Sequence, residues 1–244
     1  MASPTVVFIT GASRGIGKAL TKAYLSLPDH TVVAALRTTK SPQADQLRAL
    51  SVAPGTQLHL VAIENTSSTD PNAAIARLTS TDGGGITHID IVIANSAISI
   101  GGGPLDSVDP KDLTESFNTN AVSNLILFSA ARALLERSSE PKWIAVSTRP
   151  FYPYAAAYGM SKAAQNWFTQ ALHAGNPSLI AFAVHPGFVA TDMGIGAAKG
   201  AGIALPETSP EQSAKNIIRL IDAATRECSS GKFFDADTGE EIPW

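Results

Sequence analysis

The stretch "TVVFITGASRGIG", Thr5–Gly17, decides the fold. Its first six residues are β-branched, aromatic and apolar nearly throughout, as in a strand covered on both faces. Glycines follow at Gly11, Gly15 and Gly17, with Ser13, Arg14 and Ile16 between them, and a helix-like segment runs over 15–27. A glycine loop between a first strand and a first helix fits a dinucleotide pyrophosphate. Glycine allows the tight turn and the close backbone approach, and the helix N-terminus presents N–H groups and a favourable dipole.

Working outward, the same alternation continues. Thr31–Leu36, Gln57–Ile63, Ile89–Ala94, Lys142–Thr148 and Leu179–His185 read as further buried strands, and Lys232–Ala236 as a seventh. Gln43–Leu50, Asn72–Thr79, Leu113–Arg137 and Ala155–Ala174 read as helices. In "SPEQSAKNIIRLIDAAT", Ser209 is placed as N-cap, Pro210 at the first helical position and Gln212 at capping-box spacing. Alternating βα units predict an α/β fold, a doubly wound parallel sheet of about seven strands, in one domain over 1–244. The glycine runs 83–85 and 101–103 read as surface turns.

Composition narrows the function classes. The chain has 244 residues, 44% hydrophobic and 16% charged, with a formal net charge of −3 and no block of like charges. That balance gives no nucleic-acid or membrane-surface footprint. The single cysteine, Cys228, rules out an intrachain disulfide and a cysteine-based metal site, and no metal is expected. No apolar run is long enough for a membrane span, and the first residues lack a signal peptide's basic region. These features fit a reduced, cytoplasmic setting.

"TGASRGIG" resembles the N-terminal motif of the short-chain dehydrogenase/reductase superfamily, and later motifs extend the resemblance over almost the whole chain. It implies a Rossmann fold with a nicotinamide cofactor. NAD-preferring Rossmann proteins place an acid near the end of the second strand, to bind the ribose 2′-OH. Here that strand runs into "LRTTK", with Arg37 and no acid. Arg14 lies in the glycine loop, so two guanidinium groups are available for a 2′-phosphate, and NADP(H) is the expected cofactor. Where the family has an Asp-Val pair lining the adenine, this chain has Glu64-Asn65. The family's Asn-Asn-Ala-Gly, or Ala-Asn-Ala-Gly, becomes Ala94-Asn95-Ser96-Ala97. Asn95 keeps the amide expected beside the cofactor ribose, and Ala97 adds a methyl group.

Tyr158 and Lys162 form Y-x-x-x-K, and residues four apart share one helical face. A nearby ammonium favours phenolate and is expected to lower the phenol pKa from about 10, as general acid catalysis near neutral pH needs. The resemblance makes Tyr158 the proton donor to a substrate carbonyl and has Lys162 also hold the nicotinamide ribose. It asks for a hydroxyl at the end of the fifth strand. Residue type favours Ser147 and register favours Thr148. Consecutive strand residues face opposite ways, so one of the two is expected to serve. Asn120 matches the family's asparagine whose backbone holds a water in a proton relay to the lysine.

"HPGFVATDM", His185–Met193, follows the sixth strand. Pro186-Gly187 matches the family's Pro-Gly pair, and Val189 and Thr191 match positions that contact the nicotinamide carboxamide. His185 reads as structural. The Gly/Ala-rich stretch 194–210 corresponds to a mobile substrate lid. Phe151, Tyr152 and Tyr154 are expected to line a substrate pocket or to pack. The ending "GKFFDADTGEEIPW" resembles fungal ketoreductases related to norsolorinic acid ketoreductase. The resulting expectation is an NADPH-dependent reductase of a small-molecule ketone or aldehyde, in polyketide or other secondary metabolism. The alternative is a non-catalytic NADP(H)-binding sensor or scaffold on the same fold, and an epimerase or dehydratase using the same Tyr/Lys pair also stays open. The family often assembles as dimers and tetramers, and monomers with similar motifs also occur.

Overall fold

The structure is a computed structural model that describes residues 3–103, 105–149 and 155–244. Seven strands form one parallel sheet: β1 (Thr5–Thr10), β2 (His30–Leu36), β3 (Gln57–Ala62), β4 (Ile91–Ala94), β5 (Lys142–Val146), β6 (Ile180–His185) and β7 (Phe233–Asp235). Their order is β3-β2-β1-β4-β5-β6-β7. All seven predicted strands are present, with ends shifted by up to two residues.

The apolar runs serve two cores at once, because successive strand residues face opposite sides of the sheet. Val7 and Ile9 enter one core with Val32, Ala34, Ile91, Ile93, Ile144 and Val146. Val6 and Phe8 enter the other with Val33, Ala35, Val92, Ala94 and Trp143. Helices α1 (Gly15–Leu25), α2 (Pro42–Arg48) and, later in the chain, Pro210–Ala223 cover the first core. The second is covered by α3 (Asp70–Thr79), and by two later helices, Ser123–Leu135 and Ala156–Gly175. There Trp143 packs edge-on against Phe128 and Phe168, with ring centroids 5.7 and 6.1 Å away.

The helix expected over 113–137 is not uniform. It comprises α4 (Pro110–Phe117), a π-helical turn over Asn118–Val122, and α5 (Ser123–Leu135). A π turn accommodates an extra residue without ending the helix and often marks a functional site. Next come α6 (Ala156–Gly175), α7 (Asp192–Ala201) and α8 (Pro210–Ala223). On α8 the Ser209 hydroxyl accepts from the Gln212 N–H at 3.1 Å, as the sequence predicts. The Gln212 side chain turns instead to Asn216, so only half of the capping box forms.

Helix α7 occupies the first part of the Gly/Ala-rich stretch 194–210. Thr191 caps it by accepting from the Gly194 N–H at 3.1 Å, and Gly202 ends it in the left-handed region at φ 64°. No helix among the described residues is long and apolar enough to cross a membrane.

Candidate active site

Strand order reverses between β1 and β4, and in such sheets ligands bind beyond the carboxyl ends of the strands at that switch point. The loop 11–14 and Asn95 flank this crevice. Gly11 and Gly15 have φ of 64° and 52°. A Cβ at Gly17 would overlap the Gly11 carbonyl and approach the Asn95 amide nitrogen at 2.6 Å. The Asn95 amide nitrogen, expected beside a ribose, donates to the Thr10 carbonyl at 2.9 Å and the Gly11 carbonyl at 3.4 Å. The Thr10 hydroxyl accepts from the N–H groups of Asn95 and Ser96, each at 3.0 Å. The amide therefore braces the loop against β4.

The capping of α1 supports a phosphate cradle. Helices α2, α4, α7 and α8 begin on Ser41, Asp109, Thr191 and Ser209, whose side chains accept from first-turn N–H groups. Helix α1 begins after Arg14, with no side-chain cap and no acid in its first turn, a combination shared with α5 and α6, but it alone follows the glycine loop. Its orphan amides and dipole suit an anion. Ser13 is partly exposed, and Ile16 packs on the first core. Arg14 forms an exposed pair with Asp192 at 3.0 Å, linking the loop to α7. Arg37 is exposed just past β2. Glu64 is partly buried beyond β3, and its N–H donates to Asp70 at 3.0 Å. The open α1 N-terminus and the glycine loop fit the pyrophosphate of a dinucleotide.

Tyr158 and Lys162 share a face of α6, and the Lys162 Nζ lies 5.7 Å from the Tyr158 ring centroid. Lys162 is 2% exposed and donates to the Val146 carbonyl at 2.8 Å and the Gln165 Oε1 at 2.7 Å. Burial pulls the ammonium down to about 7. Burial also pushes the Tyr158 phenol up to about 12. The expected lowering of the phenol is therefore not present. The ammonium lies over the ring with its bonds directed to two neutral oxygens, and desolvation of the phenol dominates.

The two candidate hydroxyls face different surroundings. Ser147 is 2% exposed, and its Oγ donates to the Asn166 Oδ1 on α6 at 2.6 Å. Thr148 is partly exposed and makes no hydrogen bond among the described residues. The Ser147 hydroxyl is thus engaged inside the fold, and that of Thr148 is open. Arg149 pairs with Asp235 at the end of β7, anchoring the chain just beyond Thr148. Phe151, Tyr152 and Tyr154 lie outside the described residues.

Asn120 sits in the π turn and clamps three segments. Its Oδ1 accepts from the Ile98 N–H at 2.8 Å, and its Nδ2 donates to the Ile98 carbonyl at 2.8 Å and the Ser161 Oγ at 2.9 Å. Ser161 in turn donates to the Tyr158 carbonyl at 2.7 Å. The Asn120 carbonyl, expected to hold a water, accepts from the Asn124 amide at 2.7 Å.

Beyond β6, the Ser213 hydroxyl donates to the Pro186 carbonyl at 2.7 Å, and Gly187 has φ 86°. Val189 is buried and bridges Thr208. A Cβ on Gly15 would lie 3.0 Å from the Thr191 Cγ2, so the glycine loop and the start of α7 are close neighbours. His185 is lowered from its ordinary pKa chiefly by burial, and its Nδ1 has no partner among the described residues. Gln165 and Asn166 were missed from sequence, although both follow Lys162 at spacings that share its helical face.

Residues 5–202 match the short chain dehydrogenase family, and the chain belongs to it. Its members are oxidoreductases that use a nicotinamide cofactor. The short-chain dehydrogenase srdF of Neurospora crassa is 42% identical over 98% of both chains. The norsolorinic acid ketoreductase of Aspergillus parasiticus is 35% identical, over 98% of this chain and 91% of its own. The NADPH-bound carbonyl reductase from chicken fatty liver superposes over 100% of both chains, with a TM-score of 0.85 at 24% identity.

Proposed function

We propose that this protein is an NADPH-dependent carbonyl reductase acting as one catalytic unit over residues 1–244. Its substrate is a small-molecule ketone or aldehyde, of the aromatic or polyketide class suggested by its norsolorinic acid ketoreductase relatives. The observation that carries the reading is the placement of Tyr158 and Lys162 beside the end of β5, in the same crevice as an uncapped α1 N-terminus. When bound, the cofactor supplies a hydride to the carbonyl carbon. Tyr158 donates the proton to the carbonyl oxygen, and Lys162 stabilises the phenolate that results. Thr148, the partly exposed hydroxyl, orients the carbonyl oxygen, while Ser147 holds α6 to β5 through Asn166.

Arg14 and Arg37, with no acid at the end of β2, favour a 2′-phosphate. Pro186, Gly187, Val189 and Thr191 form the wall beside the nicotinamide, and Glu64 lies toward the adenine. Phe117, Val122, Leu125, Met160 and Trp167 are exposed on α4, the π turn, α5 and α6. Those apolar positions favour a homodimer or homotetramer. A cytoplasmic location, with a reduced Cys228, is the corresponding proposal.

The test is consumption of NADPH with a panel of aromatic ketones, compared with NADH. We expect higher kcat/KM with NADPH, and Arg37→Asp should lower that preference by about 10-fold or more, as loss of a charge-assisted contact implies. Equal use of NADH by the unmodified protein overturns the cofactor assignment. Tight cofactor binding with no turnover on any carbonyl overturns the enzymatic one and leaves a sensor.

A further inference from the structure

Lys162 is held by a residue that the motif does not include. Gln165 lies three residues further along α6 and is 1% exposed. Its Oε1 accepts from the Lys162 Nζ at 2.7 Å, and its Nε2 points to the Ala94 carbonyl at 3.4 Å, beside Asn95 at the end of β4. A buried amide without partners is costly, and so is a buried ammonium. Each answers the other here. The remaining acceptor of the ammonium is the Val146 carbonyl at 2.8 Å, so Gln165 supplies half of the oxygens that hold the charge.

The other elements around Lys162 present neutral groups. β4 offers the Ala94 carbonyl, β5 the Val146 carbonyl and Ser147, and the π turn Asn120. The ionisable group facing it is the Tyr158 phenol, on its own helix. Helix α4 packs on α6 and carries Lys111, Asp112 and Glu115, and α6 itself carries His173 in its last turn. β6 ends on His185 and β7 on Asp235, which pairs with Arg149. None of these bonds or pairs with Lys162 among the described residues.

We propose that Gln165 is a positioning residue for proton transfer: its amide oxygen fixes Lys162 against Tyr158, keeps the lysine charged, and ties both to the end of β4. This rests on Tyr158 being the proton donor. Burial leaves Lys162 close to neutrality near pH 7, so one acceptor more or fewer changes how much of it carries charge in the working range. Removing the acceptor favours the neutral amine, and placing a carboxylate there favours the ammonium.

The test compares Gln165→Leu and Gln165→Glu with the unmodified protein. NMR titration of the Lys162 side chain, without substrate, reads the charge directly. The pH profile of kcat/KM for ketone reduction reads its use. We expect the Lys162 midpoint and the high-pH limb of the profile to fall by about one pH unit in the Leu variant and to rise in the Glu variant, following the strength of a hydrogen bond to a charged group. A general disturbance of the fold does not produce shifts of opposite sign. An unmoved Lys162 midpoint in a Leu variant of normal thermal stability overturns the proposal, as does movement of both variants in one direction. Should the Glu variant not fold, Gln165→Met must lower the midpoint as Leu does, and an unchanged value overturns the proposal. If the protein reduces no carbonyl while the Lys162 midpoint still follows residue 165, the catalytic reading fails and the Gln165–Lys162 coupling stands.

Discussion

A buried lysine sits at each end of β5, Lys142 on the strand itself and Lys162 reaching it from α6, and the two are held in opposite ways. At the start, Lys142 is 8% exposed and donates to the Ile221 carbonyl at 3.0 Å, with the Glu140 carboxylate at 3.3 Å. Nearby, Asp90 accepts from the Val6 N–H at 2.8 Å and the Ser138 hydroxyl at 2.6 Å, and pairs with His88 at 3.1 Å. Each charge there meets an opposite charge or a firm donor. At the far end, Lys162 meets two neutral oxygens and a phenol. The same residue type is paired with a carboxylate at one end and left among neutral groups at the other. That asymmetry matches the general placement of ligand sites beyond the carboxyl ends of parallel strands.

The largest expected effect is that of Tyr158→Phe, which removes the proton and leaves the ring. Turnover should fall by about 10²–10⁴-fold, the usual share of a general acid, with cofactor affinity and melting temperature retained. A variant that keeps full kcat would dissolve the distinction between the two ends.

Lys162→Met should lower turnover by about 10²-fold or more and raise stability at neutral pH. The folded lysine, at about 7, lies below its ordinary value. Between these two values the unfolded chain binds the proton and the folded one does not, so native stability falls as pH drops toward about 7 and then levels off. The Met variant lacks that dependence, and melting curves across this pH range against the unmodified protein measure the difference. A native protein whose melting temperature shows the same pH slope as the variant would contradict the buried-ammonium account.

Thr148→Val and Ser147→Ala sharpen the comparison at the hydroxyl pair. We expect Thr148→Val to lower kcat by about 10-fold or more, as for a lost transition-state donor. Ser147→Ala should leave kcat nearly intact and destabilise the protein by about 1–3 kcal/mol, because the Asn166 carbonyl loses its buried donor. The reverse pattern in kinetics and denaturant melts would restore Ser147 as the working hydroxyl. Smallest of all, Lys142→Met should leave kcat unchanged and shift stability by about 1 kcal/mol in either direction, since replacing a paired buried charge with an apolar chain is often near neutral. A loss of turnover matching that of Lys162→Met would erase the contrast.

Much of this was legible because the relevant signals are local. The strand of Thr5–Thr10, the glycine spacing and the Ser209 cap each lie within a few residues, and all three are present. The π turn at Asn118–Val122 was not readable, because one extra residue leaves the apolar pattern of a long helix nearly unchanged. Helix α7 was hidden by its glycines, although Thr191-Asp192 carried a cap signal. Arg149 and Asp235 are 86 residues apart, so no local pattern joins them. The phenol's ionisation depended on a balance between burial and a nearby charge, and spacing alone reports only the charge.

Helix α7 also has a thermodynamic consequence. Three of its ten residues are glycine, at 194, 196 and 200. Each interior glycine weakens a helix by about 1 kcal/mol relative to alanine. Ala198 is the one residue of α7 that is buried, and the ion pair joining the helix to Arg14 is exposed, of a kind that contributes about 0–1 kcal/mol. Helix α7 therefore belongs to the low end of the molecule's local unfolding free energies, far below the sheet. Amides of α7 should exchange well before those of β1 to β7, and exchange of both sets together would contradict the ranking.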